Sequence, residues 1–265
     1  MLIEKNGWSI VYKKAILEDG SLLFPERLTK EFLDRALRTM GSYMFANQYQ
    51  NEVIPADKQV FKREWNKFYT SLPDNLYTFA FIDPAISEAD TADFTGIVVV
   101  SVDPLQNWYV RYAERHKITP TEIIQKCFDI HAKFNCQSIG VEDVAFQRAI
   151  IHFAFEEMKR RNVKIPITGV KRGADKSKDM RILGLVPRFE WGSIFLSQGM
   201  KHLELELAKF PRAEHDDVLD ALSSIEQIVH YPVIKRRRDE RPNPQDPGYE
   251  SWYIKQLSKR NAQRE

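Results

Sequence analysis

Cysteine is almost missing from this chain: Cys127 and Cys136 are the only two in 265 residues. Two thiols cannot build a disulfide framework, and no Cys/His group has the spacing of a zinc site. A small secreted fold held by staples and a zinc finger are both excluded, and a reducing compartment is the expectation. Long apolar runs are also missing. No stretch approaches the roughly 18 uncharged residues of a membrane span, and Met1 to Gly7 carries no apolar leader segment. Net charge is small as well, at +2 from 39 basic and 37 acidic residues. What remains is an ordinary globular composition, 43% hydrophobic and 29% charged, with chain enough for a large core. Charge is uneven only at the end. Residues 232–265 hold 9 basic and 5 acidic side chains, which reads as a basic, flexible tail.

Three regions follow from texture. Residues 1–72 read as a lead-in: a short strand around Trp8 to Tyr12, a turn at Glu18-Asp19-Gly20, then a helix capped by Thr29 and stopped by Gly41. Residues 73–231 read as an α/β domain, and 232–265 as the tail, with a short helix around Tyr253 to Leu257. Within the domain, Tyr77 to Asp83, Thr95 to Val102 and Trp108 to Ala113 are three strands with short connections, hence an antiparallel meander. Thr119-Pro120-Thr121-Glu122 is a capping box that opens a helix running to Phe134. A strand, Ser138 to Glu142, a helix, Gln147 to Arg161, and a strand, Ile165 to Val170, then imply a parallel crossover. Beyond a basic loop come a short helix (Asp179 to Val186), a hairpin arm (Trp191 to Ser197), a helix (Met200 to Lys209) and a last helix (Asp216 to His230). The expected fold is a mixed sheet of five or more strands with helices on both faces.

Three acidic positions stand where elements end. Asp83 and Glu142 each close an apolar strand, and Asp216, Asp217 and Asp220 share neighbouring turns of the last helix. Each has a plain explanation: a strand-ending turn at Asp83-Pro84, helix caps at Glu142-Asp143 and Asp216-Asp217. Their conjunction says more. If the first and fourth domain strands lie side by side and parallel, the acids meet beyond the strand ends, where ligand sites gather in such sheets. Clustered carboxylates repel unless hard cations sit between them, and Mg²⁺ or Mn²⁺ take oxygen donors of this kind. Two such ions, about 3.5–4 Å apart, suit phosphodiester hydrolysis. Lys171, Arg172, Lys176, Lys178 and Arg181 form a basic loop whose cations suit a DNA backbone, or simply water. His215 reads as a surface or capping residue. Phe189 and Trp191 read as packing residues, and the two cysteines as inert thiols.

Several segments together resemble one family. Ile82-Asp83-Pro84-Ala85, Asp93-Phe94-Thr95-Gly96-Ile97, Gly140-Val141-Glu142-Asp143, Lys178-Asp179-Met180-Arg181, Phe189-Glu190-Trp191-Gly192 and His215-Asp216-Asp217-Val218-Leu219-Asp220-Ala221-Leu222 resemble the nuclease domain of tailed-bacteriophage terminase large subunits. In the lead-in, Leu17 to Arg27, Phe45 to Asn51 and Phe61 to Trp65 look like that family's link between its packaging ATPase and its nuclease. The resemblance implies a ribonuclease H-like fold and a metal-dependent endonuclease that cuts concatemeric viral double-stranded DNA during packaging, in the cytoplasm of an infected bacterium. It implies Asp83, Glu142 and Asp217 as the catalytic acids, with Asp216 or Asp220 as a further metal ligand. It implies the ATPase region, the terminase small subunit and the portal as partners, and no membrane. The Gly-rich loop ending in Gly-Lys-Ser/Thr is not in this sequence, so ATP hydrolysis is not expected of it. A resolvase or transposase on the same scaffold, or a non-catalytic module docking on DNA or the portal, remain alternatives. An actin-like or sugar-kinase ATPase would want an Asp-x-Gly-Thr turn, and Asp93-Phe94-Thr95-Gly96 has the wrong order.

Overall fold

In the computed structural model the described residues are 12–52, 59–84, 94–142, 147–171, 177–231, 249–251, 253 and 254. Contacts divide the chain into two units, residues 1–231 and 232–265; in the second, the described residues are helical. The expected short strand at Trp8 lies outside the described residues.

Among its described residues the first unit holds seven strands: β1 (Lys67–Phe68), β2 (Tyr77–Asp83), β3 (Thr95–Val102), β4 (Trp108–His116), β5 (Ser138–Glu142), β6 (Ile167–Val170) and β7 (Ile194–Leu196). Their order in the sheet is β1-β7-β4-β3-β2-β5-β6. The pairs β2–β3 and β3–β4 are antiparallel, which is the expected meander. The pairs β2–β5 and β5–β6 are parallel, which is the expected crossover, carried by α3 (Gln147–Arg161). β2 and β3 are buried along nearly their whole length, so they read as unbroken apolar runs rather than as alternation.

Alternation decides what each face of the sheet touches. Ala80, Ile82, Ile97, Val99, Ile139 and Val141 pack with α2 (Pro120–Phe134) and α3 in one core. Phe79, Phe81, Val98 and Val100 pack in the opposite core against α4 (Lys178–Leu183), α5 (Val186–Glu190), α6 (Lys201–Lys209) and α7 (Asp217–Ser224). Helices cover both faces, as expected. The capping box of α2 is formed in both directions, Thr119 Oγ1 accepting from the Glu122 N–H and Glu122 Oε2 from the Thr119 N–H. Both cysteines are buried, and burial pushes each thiol up to about 12, which fits inert groups.

Three local expectations need correction, and one needs an addition. Gly41 ends a helix as expected, at φ 76° and ψ 167°, but a second helix starts at once, so α1 (Lys30–Tyr49) is two helices joined at a kink; a Cβ on Gly41 would stand 3.2 Å from side-chain atoms of Val186 and Glu190 on α5. The segment after Trp191 is no hairpin arm: β7 runs parallel to both β4 and β1. The last helix is shorter than Asp216 to His230, passing into a single 3-10 turn at Ile225–Gln227. Trp191 is exposed, at 54%, whereas Phe189 is buried. Part of the lead-in is woven into the sheet unit, since β1 extends the sheet and Val60 and Phe61 lie in the core that also holds α7.

Replacing Thr119 by alanine removes the acceptor at the start of α2. Urea unfolding should show a loss of about 1 kcal/mol, with an unchanged m-value; an unaltered midpoint would mean that the box contributes nothing.

Candidate active site

One row of residues crosses the sheet at the ends of β2 and β5. Asp83 pairs with Gly96, and Gly96 with Arg115. On the other side Ile82 pairs with Val141, so Asp83 and Glu142 are the next residues in register. Residues level with one another in a sheet point to the same face. Phe81 and Val98 place that face: Asp83 follows Phe81 by two residues and Gly96 precedes Val98 by two, so both lie on the α7 side. Glu142 follows Gly140, whose missing Cβ would point at Phe81 and Ile228 on that side too. The order Glu142, Asp83, Gly96, Arg115 is therefore one line under the first turn of α7. Asp83 is 9% and Glu142 3% exposed.

The gap in that line is filled from above. A Cβ on Gly96 would stand 2.3 Å from the carbonyl oxygen of Asp217. Only glycine lets the helix start rest directly on the strand, and this contact puts Asp217 beside Asp83. The electrostatics agree. The Asp217 carboxyl is raised above the usual range by burial, while Lys178 opposes the shift and the charges of Asp216 and Asp83 add to it. Its Oδ2 is buried and makes no hydrogen bond among the described residues; His215 Nδ1 is 3.9 Å away. His215 also meets the Phe94 ring edge-on, at 4.9 Å between centroids.

The other aspartates have cations. Lys178 Nζ lies 2.6 Å from Asp216 Oδ1 and 3.8 Å from Asp220 Oδ2. Asp220 is fully buried and is held by Arg181 Nη2, at 2.9 Å and 3.2 Å to its two oxygens. Burial opposes the charge on Lys178, but Asp216, Asp220 and Asp217 together hold its pKa above the ordinary value. Lys178 and Arg181 thus meet the acid cluster, because α4 packs against α7. Lys171 is exposed; Arg172 and Lys176 lie outside the described residues. The structure brings Asp83, Glu142, Asp216 and Asp217 together and assigns Asp220 a different neighbour.

Two side chains here escaped the sequence reading. Arg115 reaches the cluster from the far end of β4. Glu206 is 2% exposed on α6, where its Oε2 accepts the Leu219 N–H at 2.8 Å. The signal for Glu206 was present: it sits on the stripe of Leu203, Leu207 and Phe210, while Leu205 points out to solvent at 47% exposure.

Among the described residues, no three His, Cys, Asp or Glu side chains are close enough as they stand to hold one ion. The donor chemistry nonetheless suits a hard cation: all are carboxylate oxygens, Asp216 and Asp83 add to the raised proton affinity of Asp217, and one buried oxygen of Asp217 makes no hydrogen bond among the described residues.

Fold and site together define the class, a mixed α/β sheet with acids gathered at the carboxyl ends of the neighbouring strands β2 and β5. The large terminase of a thermophilic bacteriophage shares this fold, with a TM-score of 0.54 and 13% identity over 76% of this chain and 53% of that one. The present chain therefore spans about half the length of that protein. The large terminase nuclease of thermophilic phage G20c aligns at TM-score 0.42 and 13% identity, over 62% of this chain and 95% of that one. The RuvC of T. thermophilus, in complex with a Holliday junction substrate, aligns at 0.30 and 14% identity, over 55% and 89%. The fold assignment rests on the first of these. No family model matches the sequence, and no curated protein matches it.

Two outcomes test this geometry. Gly96→Ala forces a methyl group against the Asp217 carbonyl, so unfolding should show a loss of about 1–3 kcal/mol; wild-type stability would mean that α7 does not rest there. The second concerns Glu206. Burial pushes its carboxyl from 4.5 up to about 8, with Asp217 and Asp216 adding to the rise and the Leu219 N–H and Arg115 opposing it. Between those pH values the folded protein keeps a proton that the unfolded chain has released. Wild type should therefore lose stability relative to Glu206→Gln as pH rises from 4.5 to about 8, and the difference should level off above that. Urea midpoints that keep a constant gap across this range would contradict the burial argument.

Proposed function

We propose that this chain is the nuclease portion of a terminase-type protein and that it hydrolyses phosphodiester bonds of double-stranded DNA with divalent metal. The observation that supports this most is the single line Glu142–Asp83–Gly96, with Asp217 laid on Gly96, in a fold shared with a phage large terminase. Cutting of concatemeric viral DNA at packaging, partnership with an ATPase region, a small subunit and a portal, and residence in the infected host cytoplasm belong to the same proposal, carried by the resemblance of the motifs.

Mg²⁺ or Mn²⁺, as two ions, would supply charge neutralisation at the scissile phosphate and a lowered pKa for the attacking water. Asp83, Glu142 and Asp217 are the side chains we assign to hold them, with Asp216 as the further donor once Lys178 gives way. Asp220 fixes Arg181 and Lys178 in place and so acts as a counter-ion within the cluster, not as a ligand. The strand ends hold Asp83 and Glu142 without rearrangement of the backbone, and the first turn of α7 does the same for Asp217. Water is excluded from below by the core that holds Phe81, Val98 and Leu219.

The DNA backbone would meet cations at the rim. Arg115 and Lys117 both lie over the Phe94 ring, at 4.6 Å and 5.1 Å, beside His215 and hence beside Asp217. Lys117 is exposed and makes no ion pair among the described residues, so its charge is available to a phosphate. The loop set Lys171, Arg172, Lys176, Lys178 and Arg181 is a second source of cations, of which Lys178 and Arg181 act on the acids.

Supercoiled plasmid should be cut in Mg²⁺ or Mn²⁺ and left intact with chelator, and Asp83→Asn should lower the rate about 100-fold or more. Undiminished cutting by that variant would reject the site. A strong preference for four-way junctions over linear duplex would point to a resolvase instead. Lys117→Ala should weaken duplex binding and reduce the slope of log K against log salt by about one; an unchanged slope would remove Lys117 from the DNA path.

A further inference from the structure

The helix that carries the third acid is not capped by its own sequence. Asp216 occupies the N-cap position of α7 but makes no side-chain capping bond. Its carboxylate is turned to Lys178 instead, at 2.6 Å. A first-turn N–H still needs an acceptor, and the acceptor comes from a different helix: Glu206 Oε2 on α6 takes the Leu219 N–H at 2.8 Å. This bond is fully buried. The second oxygen, Oε1, is buried too, makes no hydrogen bond among the described residues, and stands 3.8 Å from Arg115 Nη1.

A carboxyl is an expensive choice at this place. Leu203 and Leu207 flank Glu206 on the buried stripe of α6, and a leucine there would fill the same space without desolvating a polar group. What leucine cannot do is accept the Leu219 N–H. The chain of contacts runs from Arg115 on β4 through Glu206 on α6 to Leu219, two residues beyond Asp217. Arg115 is itself the sheet partner of Gly96, the residue on which Asp217 rests. The two ends of this chain thus close on the same point.

We infer that Glu206 is a positioning residue for the acid cluster: by capping α7 from α6 it frees Asp216 and Asp217 from capping their own helix and holds Asp217 at the Gly96–Asp83 contact, where a divalent cation would be bound. The metal arm of this inference rests on the proposed nuclease function; the capping arm does not. The acids nearest Glu206, Asp217 and Asp216, are then presented as donors by backbone that other residues restrain. Outer partners of this kind typically carry a 10- to 100-fold effect on metal affinity.

The test compares three variants of the whole chain by thermal unfolding, by hydrogen exchange at the Leu219 amide and by calorimetric Mn²⁺ titration. Glu206→Gln keeps an acceptor of the same reach, and should keep slow exchange at Leu219 and Mn²⁺ affinity within about twofold. Glu206→Leu should unfold at wild-type temperature or above, yet exchange Leu219 faster and bind Mn²⁺ about 10-fold more weakly. If Glu206→Leu does not fold, Glu206→Asp, which keeps the carboxyl but shortens the reach, takes its place with the same expected losses. Leu219 exchange and Mn²⁺ affinity unchanged in the leucine or aspartate variant would overturn the inference and leave Glu206 as packing alone. A wild-type protein that neither binds Mn²⁺ nor cuts DNA would defeat the proposed function, and Leu219 exchange would still decide whether Glu206 caps α7.

Discussion

The contact between a helix start and a bare strand organises this molecule. Gly96 has no side chain, so the Asp217 carbonyl reaches a position where a Cβ would be 2.3 Å away. That single allowance seats α7 on β3 and pins the aspartate-rich turn beside Asp83. The rest of the first unit serves the contact. The meander brings Gly96 between Asp83 and Arg115, the crossover brings Glu142 alongside, and the core of Phe79, Phe81, Val98, Val100, Val218, Leu219 and Leu222 presses helix and sheet together. Burial of such side chains is worth about 1.5–3 kcal/mol each. That is ample to hold several acids at closer quarters than their charges favour.

The electrostatic balance explains how the fold tolerates such a cluster. Lys178 and Arg181 sit among Asp216, Asp217 and Asp220, and the charge of Lys178 is supported by three carboxylates despite burial. Burial, with the charges of Asp216 and Asp83 adding to it, leaves Asp217 with a raised proton affinity. The basic residues nearest the acids therefore neutralise the protein's own charge, while Arg115 and Lys117, gathered on Phe94, approach from the other side of the same turn.

Much of this was legible in the sequence. The three-strand meander, the capping box at Thr119 and the parallel crossover followed from β-branched runs and turn residues, and the acids at strand ends were visible as breaks in apolar runs. The less legible parts were those set by tertiary contact. Gly41 is legible as a stop, but not the second helix that follows it at once and packs against α5. Residues 194–196 are too short to show their direction, which only the pairing with β4 decides. The pairing of Lys178 and Arg181 with the acids was not legible either, because spacing cannot say that α4 packs onto α7. Glu206 was hidden for the opposite reason: a carboxylate among leucines reads as a surface charge until Leu205 is seen to take the exposed place.

The most direct test of the central claim is diffraction from a crystal of the protein soaked in Mn²⁺, with data collected at the manganese absorption edge. The account predicts anomalous density between Asp83, Glu142 and Asp217, over Gly96. Density at other carboxylates alone, or none at a Mn²⁺ concentration that supports DNA cleavage, would contradict it.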